Sequence, residues 1–369
     1  MSFNQYTWDL YKQTTIGIEM IKYFSDAGGY VLFKDYCPYA NFIPEDLYND
    51  WLENIYCYGV SDYDHPSSLE EAKDLYISLI TLGIRVEGQQ WLPANDFKNM
   101  LGIIQPMSYV LSQFAPEYFF PYLFLCRIFE LNKIADFFNI DLPNIPKRTD
   151  YKGRCMYYWE LCEVFYLFRK ENGLSPADLW SFLYDFAPNN LPSEKIDMPK
   201  PSQVWFIGGR LYQEDKSLES KFWQSSPETK KGDILVHYET SPISAITCIE
   251  TSLTDGVIDP LFRYYGCIYI GNRINIPHIT LKELQTDEYF FKHPLVRKNF
   301  QGVNGWSVNS ENYSELLRMI KTKGFDIEVL PKLYAPTLPK DVIIEYEHDV
   351  EQQLLEPLLN SMGWYENKD

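Results

Sequence analysis

The stretch KKGDILVHY (Lys230–Tyr238) places two lysines and a Gly232-Asp233 pair ahead of an apolar run ending in His237 and Tyr238, with Thr240 close behind. Upstream stands a second apolar run, VWFIGG (Val204–Gly209), and between the two lies an isolated Phe222-Trp223-Gln224. Glycine and aspartate before β-branched and aromatic residues mark a turn entering a strand. A strand, a loop carrying tryptophan, and a turn into a strand tipped with polar aromatics are the parts from which a small β-barrel builds a pocket for a flat ring. The expectation is recognition of a base or similar heterocycle rather than covalent chemistry.

The chain on either side has a different texture. Ala187–Ser202 (APNNLPSEKIDMPKPS) carries Pro188, Pro192, Pro199 and Pro201 and reads as a linker. Before it the periodicity is helical. Thr14–Phe24 spaces its apolar residues by three and four. Ser67-Ser68 with Glu70-Glu71 opens a helix that stops at Gly83, and Tyr157–Arg169 is a strongly apolar helix. Ser175-Pro176 caps another helix through Tyr184. After the linker come short β-rich runs, VWFIGG, DILVHY, SAITCIE and YGCIYIG, then helical pieces at Leu281–Phe290 and Glu311–Lys321. A break at Leu330–Pro339 precedes an acidic helix around Ile343–Met362. The predicted fold class is α+β: an all-helical domain over residues 1–195, a small β-barrel with flanking helices over 200–328, and a linker with an acidic C-terminal helix over 329–369.

Composition narrows the function classes. At 369 residues and 46% hydrophobic the chain is globular with room for two or three cores. Aromatics are 17%, with 29 Tyr and 23 Phe, so most of them must serve packing. The most apolar stretch, Tyr118–Leu131, is too short to cross a membrane and contains Pro121 and Arg127. The N-terminus lacks a charged-then-apolar signal. Seven scattered cysteines form no CxxC pair, and five histidines fall in no HxH or HxxxH spacing. That pattern fits reduced thiols in a cytoplasm and argues against a zinc site. The net charge of −18 counts against nucleic acid. Its distribution is uneven, however: residues 1–150 carry −10, 151–200 −1, 201–325 zero and 326–369 −7. The region with the pocket-like strands is the least acidic, and Lys230-Lys231, Arg297-Lys298 and Arg318-Lys321-Lys323 are its basic clusters.

From Val204 to about Lys323 the order of these signals resembles the EVE branch of the PUA-like superfamily. The matching parts are VWFIGG, FWQ, KKGDILVHYET and SAITCIE, then Asp259-Pro260, PHITLKEL, HPLVRKNFQG and a closing helix near NSENYSELLRMI. The resemblance covers about a third of the chain and rests on the ordered set. It implies a barrel of five or six strands that accepts a modified base. The implied base-binding residues are Gly208, Gly209, Trp223, Gln224, His237, Tyr238, Thr240 and Asn304, with Lys230, Lys231, Arg297 and Lys298 facing phosphate. Paired glycines let a backbone approach a flat ligand. Tryptophan stacking is worth about 1–3 kcal/mol per base. The first strand ends Gly-Gly-Arg where family members carry a Lys and acidic pair, which leaves the ligand's identity open. The final segment, Glu345–Asp369, resembles the first helix of restriction-endonuclease-like domains, with Glu347 or Glu351 as the early acidic residue. The metal-binding Asp and the Glu-x-Lys pair of that fold would lie beyond residue 369.

Blander readings of the same residues stand beside this one. Alternation puts one of Trp205 and Phe206 in the core, Trp223 can plug the barrel, and His237 reads more readily as a satisfied polar residue than as a catalyst. Asn304-Gly305 is by default a turn. GxGxxG, Walker A, GxSxG and HExxH are all absent. The chain thus reads as a reader without catalytic residues, cofactor or metal. Its expected partner is DNA carrying a modified or flipped base, in preference to RNA, within a prokaryotic restriction or defence system and alongside nuclease subunits. Two alternatives stand: a small-molecule or nucleotide sensor or protein-interaction module with no DNA binding, and a metal-dependent endonuclease whose catalytic part lies beyond residue 369.

Overall fold

The computed structural model describes residues 3–38, 40–192, 198–210, 220–333 and 346–361. It is a mixed α/β protein that divides into two compact units, Met1–Lys195 with Val257–Tyr265, and Ile196–Gly256 with Gly266–Asp369. Among the described residues no helix is long and apolar enough to cross a membrane.

The first unit contains α1 (Gln5–Gln13), α2 (Thr15–Asp26), α3 (Gly29–Tyr36), α4 (Glu45–Ile55), α5 (Leu69–Leu82), α6 (Phe97–Met100), α7 (Ile104–Phe114), α8 (Ile128–Phe138), α9 (Tyr151–Glu171), α10 (Pro176–Ser181) and α11 (Ala187–Asn190). The caps read from sequence are made. Ser68 accepts from the Glu71 N–H, and Ser175 closes a reciprocal box with Asp178. Helix α9 buries Tyr157, Tyr158, Trp159, Leu161, Cys162 and Phe165, so it is apolar around most of its circumference and central to this unit. The aromatic excess goes where packing needs it: Trp8, Phe138, Phe182 and Phe186 meet edge-to-face.

Two features depart from the all-helical expectation. Ile84–Val86 (β1) and Gln89–Leu92 (β2) form a small antiparallel hairpin. The segment Val257–Tyr265, expected inside the barrel and containing the two-residue strand β7 (Val257–Ile258), belongs to the first unit. The reason is a buried arginine. Arg154 Nε donates to the Pro260 carbonyl at 2.8 Å, Nη2 to Phe262 at 2.6 Å, and Nη1 to Arg148 at 2.9 Å. Tyr265 Oη donates to the Pro146 carbonyl at 2.6 Å.

Asp259 is fully buried in this segment and accepts from the Leu261 and Phe262 N–H groups. Burial pushes its carboxyl from 3.8 up to about 6. A carboxyl whose folded pKa is raised favours folding most below its unfolded pKa and loses that advantage as pH rises through the folded one. Asp259→Asn removes this dependence. The stability of the variant relative to the native chain is therefore expected to rise by about 2 kcal/mol between pH 3.8 and 6. Denaturant melts across that window check it; a flat difference refutes it.

The second unit is built on a curled half-barrel sheet. Its strands are β3 (Val204–Gly209), β4 (Ser220–Gln224), β5 (Ile234–Glu239), β6 (Ala245–Ser252), β8 (Gly266–Thr280) and β9 (Trp306–Val308), in the spatial order β4-β8-β6-β5-β3-β9. Only β3 and β5 run parallel among these pairs. The long β8 pairs with β4 along its first part and with β6 along the rest, which carries the sheet round its curl. The PHIT of the PHITLKEL segment is the end of this strand. Helix α12 (Leu281–Thr286) follows, then α13 (Pro294–Arg297) and α14 (Ser310–Thr322).

Alternation sorts the two faces. Val204, Phe206, Ile234, Val236 and Tyr238 pack with Leu284, Leu295, Phe300, Leu316 and Ile320 beneath the helices. Trp205, Ile207, Leu235, Ile268 and Ile270 pack on the other face together with Trp223. Trp205 and Phe206 are thus both core residues, on opposite faces. The Gly232-Asp233 turn fixes the entry to β5. Gly232 has φ +93°, and a Cβ there would sit 2.5 Å from the Pro199 carbonyl oxygen. Asp233 is fully buried.

In the tail, α15 (Glu347–Val350) and α16 (Glu356–Ser361) flank a π-helical turn, Glu351–Leu355. Glu347 and Glu351 are exposed. The remainder of the expected acidic helix, residues 343–345 and 362, lies outside the described residues.

Candidate functional site

The face of the sheet opposite the helices places polar groups beside the Trp205–Ile207–Leu235 cluster. Asn304 Oδ1 accepts from the Gly208 N–H at 2.8 Å and from Trp223 Nε1 at 3.2 Å, and Asn304 Nδ2 donates to Gln224 Oε1 at 3.3 Å. One amide from the loop before β9 therefore ties together the end of β3 and the end of β4. Gly209 makes room for the tryptophan: a Cβ there would lie 2.5 Å from Trp223 Cζ2. The Trp223 and His237 rings meet at 62° with centroids 4.8 Å apart. Trp223, Gln224 and Asn304 are half-buried, so this cluster borders the surface.

His237 leads inward to two groups that the sequence did not single out. Its Nδ1 lies 2.9 Å from Glu250 Oε2, and Arg273 reaches Glu250 Oε1 through Nε at 2.8 Å and Nη2 at 2.7 Å. His237 is 0% exposed and Glu250 2%. Burial pushes the Glu250 carboxyl up, but His237 and the Arg273 guanidinium outweigh it and hold the group below its ordinary range. The other ring nitrogen, His237 Nε2, is buried with no hydrogen-bond partner. A charged residue inside SAITCIE, an otherwise apolar and hydroxyl-bearing strand, was the available signal. Such a residue needs a buried partner, but which one depends on strand register.

His237, Cys248 and Glu250 offer three possible metal-ligand atoms within 4.8 Å of one another. The chemistry of that set favours hydrogen bonding over metal. Both Glu250 oxygens are engaged, and a guanidinium sits where a cation would add like charge. Burial also pushes the Cys248 thiol up to about 12, away from the thiolate a metal requires.

The other expected site residues scatter. Tyr238 faces the opposite side of the sheet, stacked on Phe300 at 4.0 Å and 3°, because adjacent strand residues point to opposite faces. Thr240 lies just past β5, where its N–H bonds the Gly209 carbonyl at 3.1 Å. Lys230 and Lys231 sit in the turn before β5, with backbone N–H groups on Asp233 and Asp255. The strand from Ile234 to His237 alone sets the turn roughly 10 Å from His237. Arg297 and Lys298 are exposed at the end of α13. In the third basic cluster, Arg318 pairs with Asp287 at 2.7 Å and Glu315 at 2.6 Å, and Lys323 with Glu283 at 2.5 Å.

No family model matches the chain, and no curated protein matches it. Two solved structures are similar to part of it. One is a solution structure of a Rhodopseudomonas palustris protein, 13% identical with a TM-score of 0.29, covering 32% of this chain and 94% of its own. The other is a hypothetical protein from Leishmania major, 11% identical with a TM-score of 0.27, covering 34% and 98%. Likenesses of this size carry no functional argument.

Proposed function

We propose that the second unit is a PUA-like reader of the EVE kind, binding a modified or flipped base of DNA beside Trp223. The observation that carries the reading is the hydrogen-bonded set Gly208, Trp223, Gln224 and Asn304 next to a buried histidine whose Nε2 has no partner. It combines an aromatic face for stacking with amide groups for a base edge. Extruding a base costs a few kcal/mol, which stacking and hydrogen bonds can offset. In this reading the chain recognises and does not cut, and works within a defence or restriction system.

The experiment is binding to duplexes carrying cytosine, 5-methylcytosine, 5-hydroxymethylcytosine or N6-methyladenine at two salt concentrations. Selective binding to one modified duplex is the expected result; no binding at low salt overturns the reading. With Lys230, Lys231, Arg297 and Lys298 as the candidate phosphate contacts, log K should fall with log salt no more steeply than about −4.

The place of the lysines favours a second reading. Lys230 and Lys231 lie at the far end of β5 from His237, and Arg318 and Lys323 of the third basic cluster are paired with carboxylates. A sensor of a free nucleoside or nucleotide needs no phosphate track. Its binding would be nearly indifferent to salt.

A further inference from the structure

We propose that Glu250 and Arg273 fix His237 Nε2 as a hydrogen-bond acceptor, and that the proposed base site thereby selects a ligand presenting an exocyclic amino group, a cytosine- or adenine-type edge rather than a keto one. The inference rests on the base-binding reading of this site. A carboxylate is acceptor-only, so the 2.9 Å contact to Glu250 requires the proton on His237 Nδ1. Arg273 already pairs with the Glu250 carboxylate, so the ring form we assign is the neutral one. The lone pair is then on Nε2, the atom with no protein partner. A buried acceptor left empty is unfavourable, which a ligand N–H relieves and a carbonyl oxygen worsens. An exocyclic amino group projects from the ring edge, and contact with this atom requires the half-buried Trp223 ring packed on the fully buried His237 to give way. A ring imide N–H is flanked by two carbonyl oxygens that would be driven against Trp223 and the apolar wall.

Arg273 also makes the arrangement switchable. In Glu250→Gln the amide oxygen stays on the guanidinium, because the reverse orientation would set donor against donor. The amide N–H₂ then faces His237 Nδ1, which becomes the acceptor, and the proton moves to Nε2. The variant should prefer a keto edge.

The test uses 5-methyl-2′-deoxycytidine and thymidine, which share ring and methyl group, with nitrogen-15 NMR of the His237 ring. Native protein should show an unprotonated Nε2 that responds to 5-methyl-2′-deoxycytidine, bound at least about fivefold more tightly than thymidine. Glu250→Gln should show a protonated Nε2 and the reversed preference. A protonated Nε2 in the native protein, native preference for thymidine, or an unchanged preference in a folded variant overturns the proposal. If the variant does not fold, the native ring spectrum and the native preference still decide. Duplex binding without a His237 response overturns the proposal and leaves the reader. A nucleoside response without duplex binding supports the acceptor and removes the DNA reading.

Discussion

Asp233→Ala is expected to cost the second unit about 3–4 kcal/mol, enough to lose much of a typical domain's margin. Asp233 Oδ2 accepts from Trp205 Nε1 at 2.9 Å and the Lys230 N–H at 2.8 Å; Oδ1 accepts from the Gln203 N–H at 3.1 Å and the Ser202 hydroxyl at 3.3 Å. One carboxylate thus joins the start of β3, the turn before β5 and a buried indole. Water can replace it at the exposed Lys230, but not at Trp205, which is 3% exposed. Asp233→Asn should be nearly as damaging, since an amide N–H₂ in place of one oxygen sets a donor against two donors or one. Hydrogen exchange along β3 and β5, with denaturant unfolding, reads both variants. An asparagine variant as stable as the native chain would refute this role.

Trp223→Ala is expected to weaken binding of the preferred modified duplex by about 5–150-fold, the equivalent of 1–3 kcal/mol of stacking. Its effect on the fold should be small, because the ring is half-buried and packs at the margin of the Trp205–Ile207–Leu235 cluster. The indole also donates to Asn304, so the substitution frees that amide. Trp223→Phe separates the two roles by keeping a stacking face while losing the donor. Equal discrimination among duplexes by native and alanine proteins, with unfolding unchanged, would remove Trp223 from the site and leave it as packing.

The sequence was most legible where local chemistry is self-sufficient. The Ser68 and Ser175 caps, the Gly-Asp turn and the β-rich run after the prolines each follow from a few adjacent residues. The site was legible in part. Trp223, Gln224, His237, Gly208, Gly209 and Asn304 were named and stand together. Tyr238 was named with them although alternation sets it opposite His237, an inference that strand period alone permits. Glu250 and Arg273 escaped because they meet His237 across strands, and β6 carries irregular register at both of its pairings. The β1–β2 hairpin escaped because its strands are short and sit inside a helical context.

The capture of Val257–Tyr265 by the first unit has a consequence for how the protein is made. A ribosome delivers the chain from its N-terminus, so the helices emerge long before the residues that cap Arg154. Until Tyr265 has left the exit tunnel, that guanidinium lacks its Pro260 and Phe262 acceptors. The two units therefore cannot mature strictly one after the other. A fragment cut at the proline-rich stretch would leave each half with an unfinished surface: the first without its plug, the second with a loop shaped to fill another core.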